Sequence, residues 1–363
     1  MFSHGNTRLQ PLEAIIDGPD AKAAIWEESQ HIERTPRGVA EPQDGTPAVK
    51  IFVSGATGVI GRRAVPQLRA IGHDVTAMAR SPAKADALRK LGARPVTTDL
   101  FDKPALFEAV AGHETVINLA THMPSLNLSA FMPGAWAEND RVRKLGSANL
   151  VDASIAGGVR LFVQESFAPA YPDCGDRWID ETVAIEPARY NRTILDAERS
   201  AHRFTRHGGT GIVLRFGAFY GPDATQLADL IRSIRKGWVP IPGRPEAFFS
   251  SISHDDAAMA VVATLQAGAG TYNVVDDEPL RRREYFDSLA QALGVGPPKI
   301  PPHWLANLFG SLGRLLARSQ RVSNRKLREE TSWRPKYPSV REGWAPTVQE
   351  WQARNAAPIA RIS

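Results

Sequence analysis

Cysteine is nearly absent from this chain, which has only Cys174 among its 363 residues. One cysteine excludes an internal disulfide framework and favours a reducing, cytoplasmic location. No apolar run approaches the roughly 18 residues needed to cross a bilayer, so we expect no membrane span. The first residues lack a basic segment followed by an apolar one, so we expect no export signal. No cluster of Cys, His and Asp has the spacing of a metal site, so we expect no metal.

A strong charge imbalance is also missing, because the net charge is only +5. The arginines are scattered rather than massed with aromatic residues, so nucleic-acid binding is not expected. A basic groove for a phosphate-bearing small molecule explains the same charge. The hydrophobic fraction of 43% and the charged fraction of 23% are ordinary for a globular protein.

The segment between Val49 and Arg62 contains the most informative pattern. A short apolar strand leads directly into three glycines spaced three residues apart, and an amphipathic stretch follows. Glycine permits both the tight turn and the close approach of a pyrophosphate, whose charge is favoured by the N–H groups at a helix start. The pattern predicts a dinucleotide-binding βαβ unit. The predicted cofactor-binding residues of this segment are Gly55, Thr57, Gly58, Val59, Ile60 and Gly61.

Strand and helix patterns alternate after this turn. Helix-like stretches separate the strands, including one over residues 135–156 and one over residues 189–207. This alternation predicts an α/β fold with a Rossmann-type, doubly wound parallel sheet. The strand-like runs begin at Val49, Asp74, Arg94, Thr115, Arg160 and Gly211.

Two regions lie outside this rhythm. Residues 1–47 are rich in turn and linker chemistry and predict a flexible extension with one short helix. After Gly221 the pattern becomes mixed and proline-rich, which predicts a smaller α/β cap domain at the C-terminal side. We therefore divide the chain into the extension, a dinucleotide-binding domain, a mainly substrate-binding cap with one segment returning to the dinucleotide-binding domain, and a tail. The predicted bounds are 1–47 for the extension, 48–221 for the dinucleotide-binding domain, 222–346 for the cap and 347–363 for the tail. Residues 253–275, within the range of the cap, are predicted to return to the dinucleotide-binding domain.

The ends of the following strands predict further cofactor contacts. A site that prefers NAD places a carboxylate after the second strand to bind the ribose 2′-hydroxyl. This chain has Arg80 there, with Lys84 one helical turn on, and a guanidinium suits a 2′-phosphate. We therefore expect NADP as the preferred cofactor, with NAD as the alternative. We expect Asp99 and Leu100 near the adenine, and Asn118, Leu119 and Ala120 near the nicotinamide half.

Taken together, these motifs resemble the extended short-chain dehydrogenase/reductase superfamily, and more narrowly its NAD-dependent epimerase/dehydratase family. The resemblance covers about residues 48–346. It implies an NAD(P)-dependent oxidoreductase or epimerase/dehydratase-like enzyme that acts on a small molecule or nucleotide sugar, and it suggests a homodimer. The segments that carry it are 55–61, Asp99-Leu100, Asn118-Leu119-Ala120, 215–222, 253–257 and 327–335.

The catalytic motif departs from the family's pattern. Members carry a Ser or Thr after strand five, for which Ser166 stands here, and a Tyr-x-x-x-Lys motif, which Tyr190 opens. The resemblance therefore implies Ser166 and Tyr190 as the catalytic residues, which would polarise a carbonyl or hydroxyl of the substrate. The lysine position is Ile194. A phenol has an ordinary pKa near 10, and a neighbouring ammonium favours its ionised form. Base catalysis by Tyr190 therefore looks weakened. Arg143 stands where the family usually has an asparagine in the preceding helix.

Three interpretations of Tyr190 remain open at this point. It acts as a proton donor only, it contacts substrate in an atypical enzyme, or it is an aromatic residue without a chemical role. Reduction is easier than oxidation without the lysine, so a reductase is slightly favoured over an epimerase. The alternative function is a catalytically silent NAD(P)-binding sensor.

Overall fold

The structure is a computed structural model that describes residues 48–124 and 134–356. The predicted extension, residues 1–47 with its short helix, lies outside the described residues. The strands are β1 Lys50–Ser54, β2 Asp74–Ala79, β3 Arg94–Thr97, β4 Thr115–Asn118, β5 Leu161–Phe167, β6 Trp178–Ile179, β7 Thr210–Phe216, β8 Ala218–Tyr220, β9 Phe248–Phe249, β10 Ser251–Ser253, β11 Gly270–Val274, β12 Leu280–Arg281 and β13 Arg321–Val322.

The α-helices follow the strands in alternation through the first half of the described chain. They are α1 Gly61–Ala70, α2 Pro82–Lys90, α3 Lys103–Val110, α4 Ala137–Arg141, α5 Ser147–Ala156, α6 Ile194–Arg206, α7 Leu227–Arg235, α8 His254–Ala263, α9 Arg282–Ala292, α10 Gly310–Leu316, α11 Arg325–Glu330 and α12 Val340–Ala356.

Seven strands form one parallel sheet in the order β3–β2–β1–β4–β5–β7–β11. Both of its faces are covered by helices, which is why its central strands are apolar throughout rather than alternating. In β1, Ile51 and Val53 pack into one apolar layer with α1, while Phe52 packs into the opposite layer with α3. The sheet confirms the predicted Rossmann-type α/β fold.

The strand order reverses between β1 and β4. The chain runs outward through β2 and β3, and then returns to place β4 on the other side of β1. Ligands of open α/β sheets bind beyond the carboxyl ends of the strands at such a point. The glycine turn directly follows β1 and is therefore placed there.

Two predicted helices are interrupted at the side of this site. The stretch predicted over residues 135–156 contains a π-helical turn, Val142–Gly146, between α4 and α5. The stretch predicted over residues 189–207 begins with a 3₁₀ turn, Arg189–Asn191, and α6 starts only at Ile194. Tyr190 therefore lies on a turn, and the expectation that it lies on the helix was wrong.

The later elements form an apolar cluster of their own. Helices α7, α9 and α12 contribute buried residues around Tyr220 and Trp344, whose ring centroids are 5.1 Å apart. The final helix α12 runs through the boundary predicted after residue 346. Within residues 48–124 and 134–356, every helix is too short or too polar to span a bilayer.

Candidate active site

The glycine turn has no room for side chains at two of its positions. Gly55 has a φ of +74°, and a Cβ there would lie 2.4 Å from the carbonyl carbon of Leu119. A Cβ on Gly61 would lie 2.5 Å from the Cα of Ala56. The Gly58 N–H donates a hydrogen bond to the Gly55 carbonyl at 2.9 Å, which closes the turn. Glycine at position 55 is therefore required for the turn to pass so close to the end of β4, and glycine at position 61 for α1 to begin so close to Ala56.

A cleft of about 350 Å³ opens beside this turn. It brings together the turn, the ends of β2 and β4, and the segment after β3. Val59, Ile60, Gly61 and Asn118, which we also predicted as cofactor-binding, lie outside its lining. Among the predicted residues, those that line the cleft are Gly55, Thr57, Gly58, Arg80, Asp99, Leu100, Leu119 and Ala120.

Two cations, Arg80 and Lys84, line the part of the cleft that lies next to the carboxyl end of β2. Arg80 is exposed, and Lys84 lies in the first turn of α2, where its N–H donates to the Oγ of the cap residue Ser81 at 3.4 Å. Within residues 48–124 and 134–356, neither cation forms an ion pair. The nearby Arg62 is different, because it pairs with Asp223. Arg80 and Lys84 are therefore the cations of the cleft that remain available to an anionic ligand.

Asp99 and Asn118 are engaged by the protein itself. Asp99 Oδ1 accepts a hydrogen bond from the Phe101 N–H at 2.9 Å, which shapes the rim of the cleft. Asn118 is fully buried, and its Nδ2 donates to Gln164 Oε1 at 2.9 Å. Its Oδ1 accepts a hydrogen bond from the Ser54 hydroxyl. The Asn118 amide thus joins the ends of β1 and β4 to the middle of β5 beneath the cleft.

Ser166 lies inside a buried polar network. Its hydroxyl donates to Glu198 Oε1 at 2.6 Å, and Glu198 forms a two-point ion pair with Arg215 at 2.8 Å for each contact. Arg215 Nη1 also donates to the Tyr171 hydroxyl at 2.7 Å. Burial raises the pKa of Tyr171 to about 12, although the Arg215 charge opposes this. The hydrogen-bond partner of Ser166 is therefore a carboxylate of α6, not Tyr190.

Tyr190 packs against Trp136 at the side of this site, with the two ring planes tilted by 51°. Its ring centroid lies 4.4 Å from that of Trp136, immediately before α4. Burial raises the pKa of Tyr190 above its ordinary value, and the Arg143 charge acts in the opposite direction. Ile194, four residues later, is the first residue of α6 and is fully buried.

Sequence reasoning did not identify an ion pair beside Tyr190. Arg143 Nη2 lies 3.3 Å from Glu165 Oε1, and both side chains are buried. Arg143 Nε and Glu165 Oε2 have no hydrogen-bond partner within the described part of the chain. Burial raises the pKa of Glu165, with the Arg143 charge opposing it. The unusual residue at position 143 was visible in the sequence, but its partner on β5 was not.

Comparisons with known proteins agree with this geometry. Residues 55–267 match a family described as NAD(P)H-binding. The 3-diazoavenalumate denitrifying reductase of a Streptomyces species is 33% identical over 309 residues, which are 81% of this chain and 99% of that protein. A ketoreductase of Stigmatella aurantiaca that acts on 4-hydroxy-2-methyl-3-oxo-4-farnesyl-3,4-dihydroquinoline-1-oxide is 26% identical over 255 residues, 68% of this chain and 74% of that protein. UDP-glucose 4-epimerase of Thermus thermophilus, solved in complex with NAD, is 25% identical with a TM-score of 0.66, over 84% of this chain and 99% of that chain.

Proposed function

Because the chain belongs to the NAD(P)H-binding family, within the NAD-dependent epimerase/dehydratase group of extended short-chain dehydrogenases/reductases, we propose that it is an NADPH-dependent reductase of small carbonyl compounds. The observation that carries the proposal is the cleft itself, which joins a glycine turn to two cations, Arg80 and Lys84, that have no ion-pair partner among the residues that the structure describes. Two of its relatives are named reductases.

The residues of the cleft suit a dinucleotide. Because Gly55 and Gly61 have no Cβ, the turn packs closely on Leu119 and Ala56. The backbone N–H groups at the start of α1 would then face a pyrophosphate. Arg80 and Lys84 would bind a 2′-phosphate, because a guanidinium forms paired hydrogen bonds with phosphate oxygens. We therefore keep NADP as the preferred cofactor.

The substrate half of the site follows from the same arrangement. When bound, the cofactor supplies the hydride. Tyr190 keeps its proton at neutral pH, because burial raises its pKa, and it can donate that proton or a hydrogen bond to the carbonyl oxygen. Ser166 is held by Glu198 at the carboxyl end of β5, and its role is to fix this strand end beside the substrate.

The wider organisation also remains our proposal. We propose a dinucleotide-binding domain over residues 48–221, a cap over 222–346 with 253–275 returning, and a tail over 347–363. A homodimer and a cytoplasmic location stay predictions.

Turnover measurements with the purified chain test the proposed reaction. The chain is incubated with NADPH and a panel of ketones, 3-oxo acids and nucleotide sugars, and cofactor consumption is followed. We expect reduction of a carbonyl compound, and we expect Tyr190→Phe to remove it while NADPH binding persists. Binding of cofactor without turnover of any compound would instead support a catalytically silent sensor.

A further inference from the structure

We propose that Arg143 is a positioning residue that supplies to Tyr190 the positive charge for which a lysine at position 194 is missing. The proposal rests on the proposed function, because it assigns Arg143 a role only through the proton-donating hydroxyl of Tyr190.

The geometry starts with one face of α4 and the π-helical turn after it. Trp136, Asp140 and Arg143 follow one another at intervals of four and three residues and therefore share that face. The segment that contains Tyr190 packs along this face. The Tyr190 ring lies against the Trp136 ring with centroids 4.4 Å apart and planes tilted by 51°, and Thr193 Oγ1 donates to Asp140 Oδ1 at 2.7 Å. Arg143 is the next residue of the face, and its turn packs against α6.

The environment of Arg143 leaves part of its charge unmatched. The residue is 2% exposed, and its ion-pair distance to Glu165 is a long 3.3 Å. Its Nε–H has no partner within the described residues. A cation in such a poorly solvated place acts on its neighbours more strongly than it would in water. An arginine also stays charged at every pH at which the protein is folded.

The charges that act on Tyr190 come from two elements. Arg143 comes from the π-helical turn and Arg318 from the segment after α10. Asp140 of α4 accepts its hydrogen bond from Thr193, three residues beyond Tyr190. Arg143 and then Arg318 lower the pKa of Tyr190, against the larger effect of burial. Arg143 itself is partly balanced by Glu165 on β5. Of the cations that act on the phenol, Arg143 is the one with the larger effect.

The test replaces Tyr190 by 3,5-difluorotyrosine in the full chain, which makes its phenol more acidic, and follows its titration by ¹⁹F NMR. Arg143→Gln should raise the pKa of this phenol by at least about one pH unit, the size expected for loss of a nearby opposite charge. Arg143→Lys should leave it nearly unchanged, since the charge is kept. The control is Arg199→Gln, which removes an exposed arginine of α6 that pairs with Asp196.

An equal titration in Arg143→Gln and Arg199→Gln would overturn the proposal, as would a shift in Arg143→Lys as large as that in Arg143→Gln. If Arg143→Gln does not fold, the double variant Arg143→Met/Glu165→Met replaces the buried pair by apolar side chains and is expected to raise the pKa likewise. This titration needs no turnover. A missing shift in a chain that reduces carbonyl compounds rejects the role of Arg143 alone, whereas absent turnover in a chain that shows the shift rejects the proposed function.

Discussion

At the residue scale, Gly55 combines a positive φ with a contact that leaves no room for a Cβ. We expect Gly55→Ala to lower the free energy of unfolding by more than about 2 kcal/mol, because φ strain adds to the overlap with Leu119. We also expect it to abolish cofactor binding. Urea unfolding and calorimetric titration with NADPH measure the two effects.

Gly72→Ala is the matched control for this change. Gly72 has a φ of +90° and nothing within 4 Å of its ideal Cβ, so it carries the strain without the overlap. We expect a loss of about 1 kcal/mol there and unchanged NADPH binding. If both variants lost the same stability and both bound NADPH, the close approach of Gly55 to β4 would have no role in the cleft.

We propose that Arg80 determines the preference for NADP over NAD. We expect Arg80→Ala to weaken NADPH binding about tenfold or more, since hydrogen bonds to charged groups contribute about 1.5–3 kcal/mol. NADH binding should change little, because NADH lacks the 2′-phosphate. Dissociation constants of both cofactors measure this. The control is Arg89→Ala, which removes an exposed arginine of the following helix α2 that pairs with Asp86. An equal loss of NADPH binding in this variant would contradict the assignment.

At the scale of elements, the ion pair between Glu198 and Arg215 joins α6 to β7, and Ser166 adds β5. Glu198→Gln would leave the Arg215 charge buried without its partner. We expect it to lower the free energy of unfolding by about 3 kcal/mol. Asp196→Asn on the same helix breaks only the exposed pair with Arg199 and should cost less than about 1 kcal/mol.

Chemical denaturation of the two variants measures the difference. Equal midpoints and slopes for Glu198→Gln and Asp196→Asn would show that the buried network does not stabilise the junction of these elements.

The elements also show what the sequence could predict. The apolar runs located the strands that begin at Asp74 and Thr115 well, because each run is short, almost wholly buried and bounded by turns. The strand that begins at Arg94 was located too, although it lies at the edge of the sheet and none of its residues is buried. The period of apolar residues could not locate the π-helical turn at Val142–Gly146, since one extra residue in a turn hardly alters a helical pattern. It also could not show that Ser166 turns toward Glu198, because that contact depends on how α6 packs.

At the scale of the whole molecule, the buried carboxyl group of Asp276 and the partly buried one of Asp223 change the stability in opposite directions as the pH rises. Burial raises the pKa of Asp276 well above its ordinary value, and Asp256, Asp277 and Glu342 add to this. Although burial opposes it, hydrogen bonds from His254 and Arg63 lower the pKa of Asp223. Asp223 thus stabilises the fold above its unfolded pKa near 3.9, and this contribution is lost as the pH falls.

The contribution of Asp276 to stability changes with pH in the opposite direction. Its folded form holds a proton that the unfolded chain has lost, so stability falls as the pH rises from its unfolded pKa toward its folded pKa. We therefore expect Asp276→Asn to gain stability relative to the unmodified protein as the pH is raised from 4 to 8. Urea unfolding across this range measures it. Asp229→Asn, an exposed control that pairs with Arg232, should show no such trend; a flat difference for Asp276→Asn as well would contradict the pKa direction.

A doubly wound parallel sheet could be predicted from the sequence, because right-handed crossovers allow few arrangements of alternating strands and helices. The position of the cleft followed from it. The contacts between the Tyr190 turn and α4 were not predictable, since they join residues far apart in the sequence through side chains that no periodicity marks.

Transfer of a labelled hydride tests directly whether the chain reduces carbonyl compounds with NADPH. The chain is incubated with NADPH whose transferable nicotinamide hydrogen is deuterium, together with the carbonyl panel, and the products are examined by mass spectrometry. We expect an alcohol product that carries one deuterium on the former carbonyl carbon. Binding of NADPH without transfer of deuterium to any of the compounds would contradict the proposed reductase function.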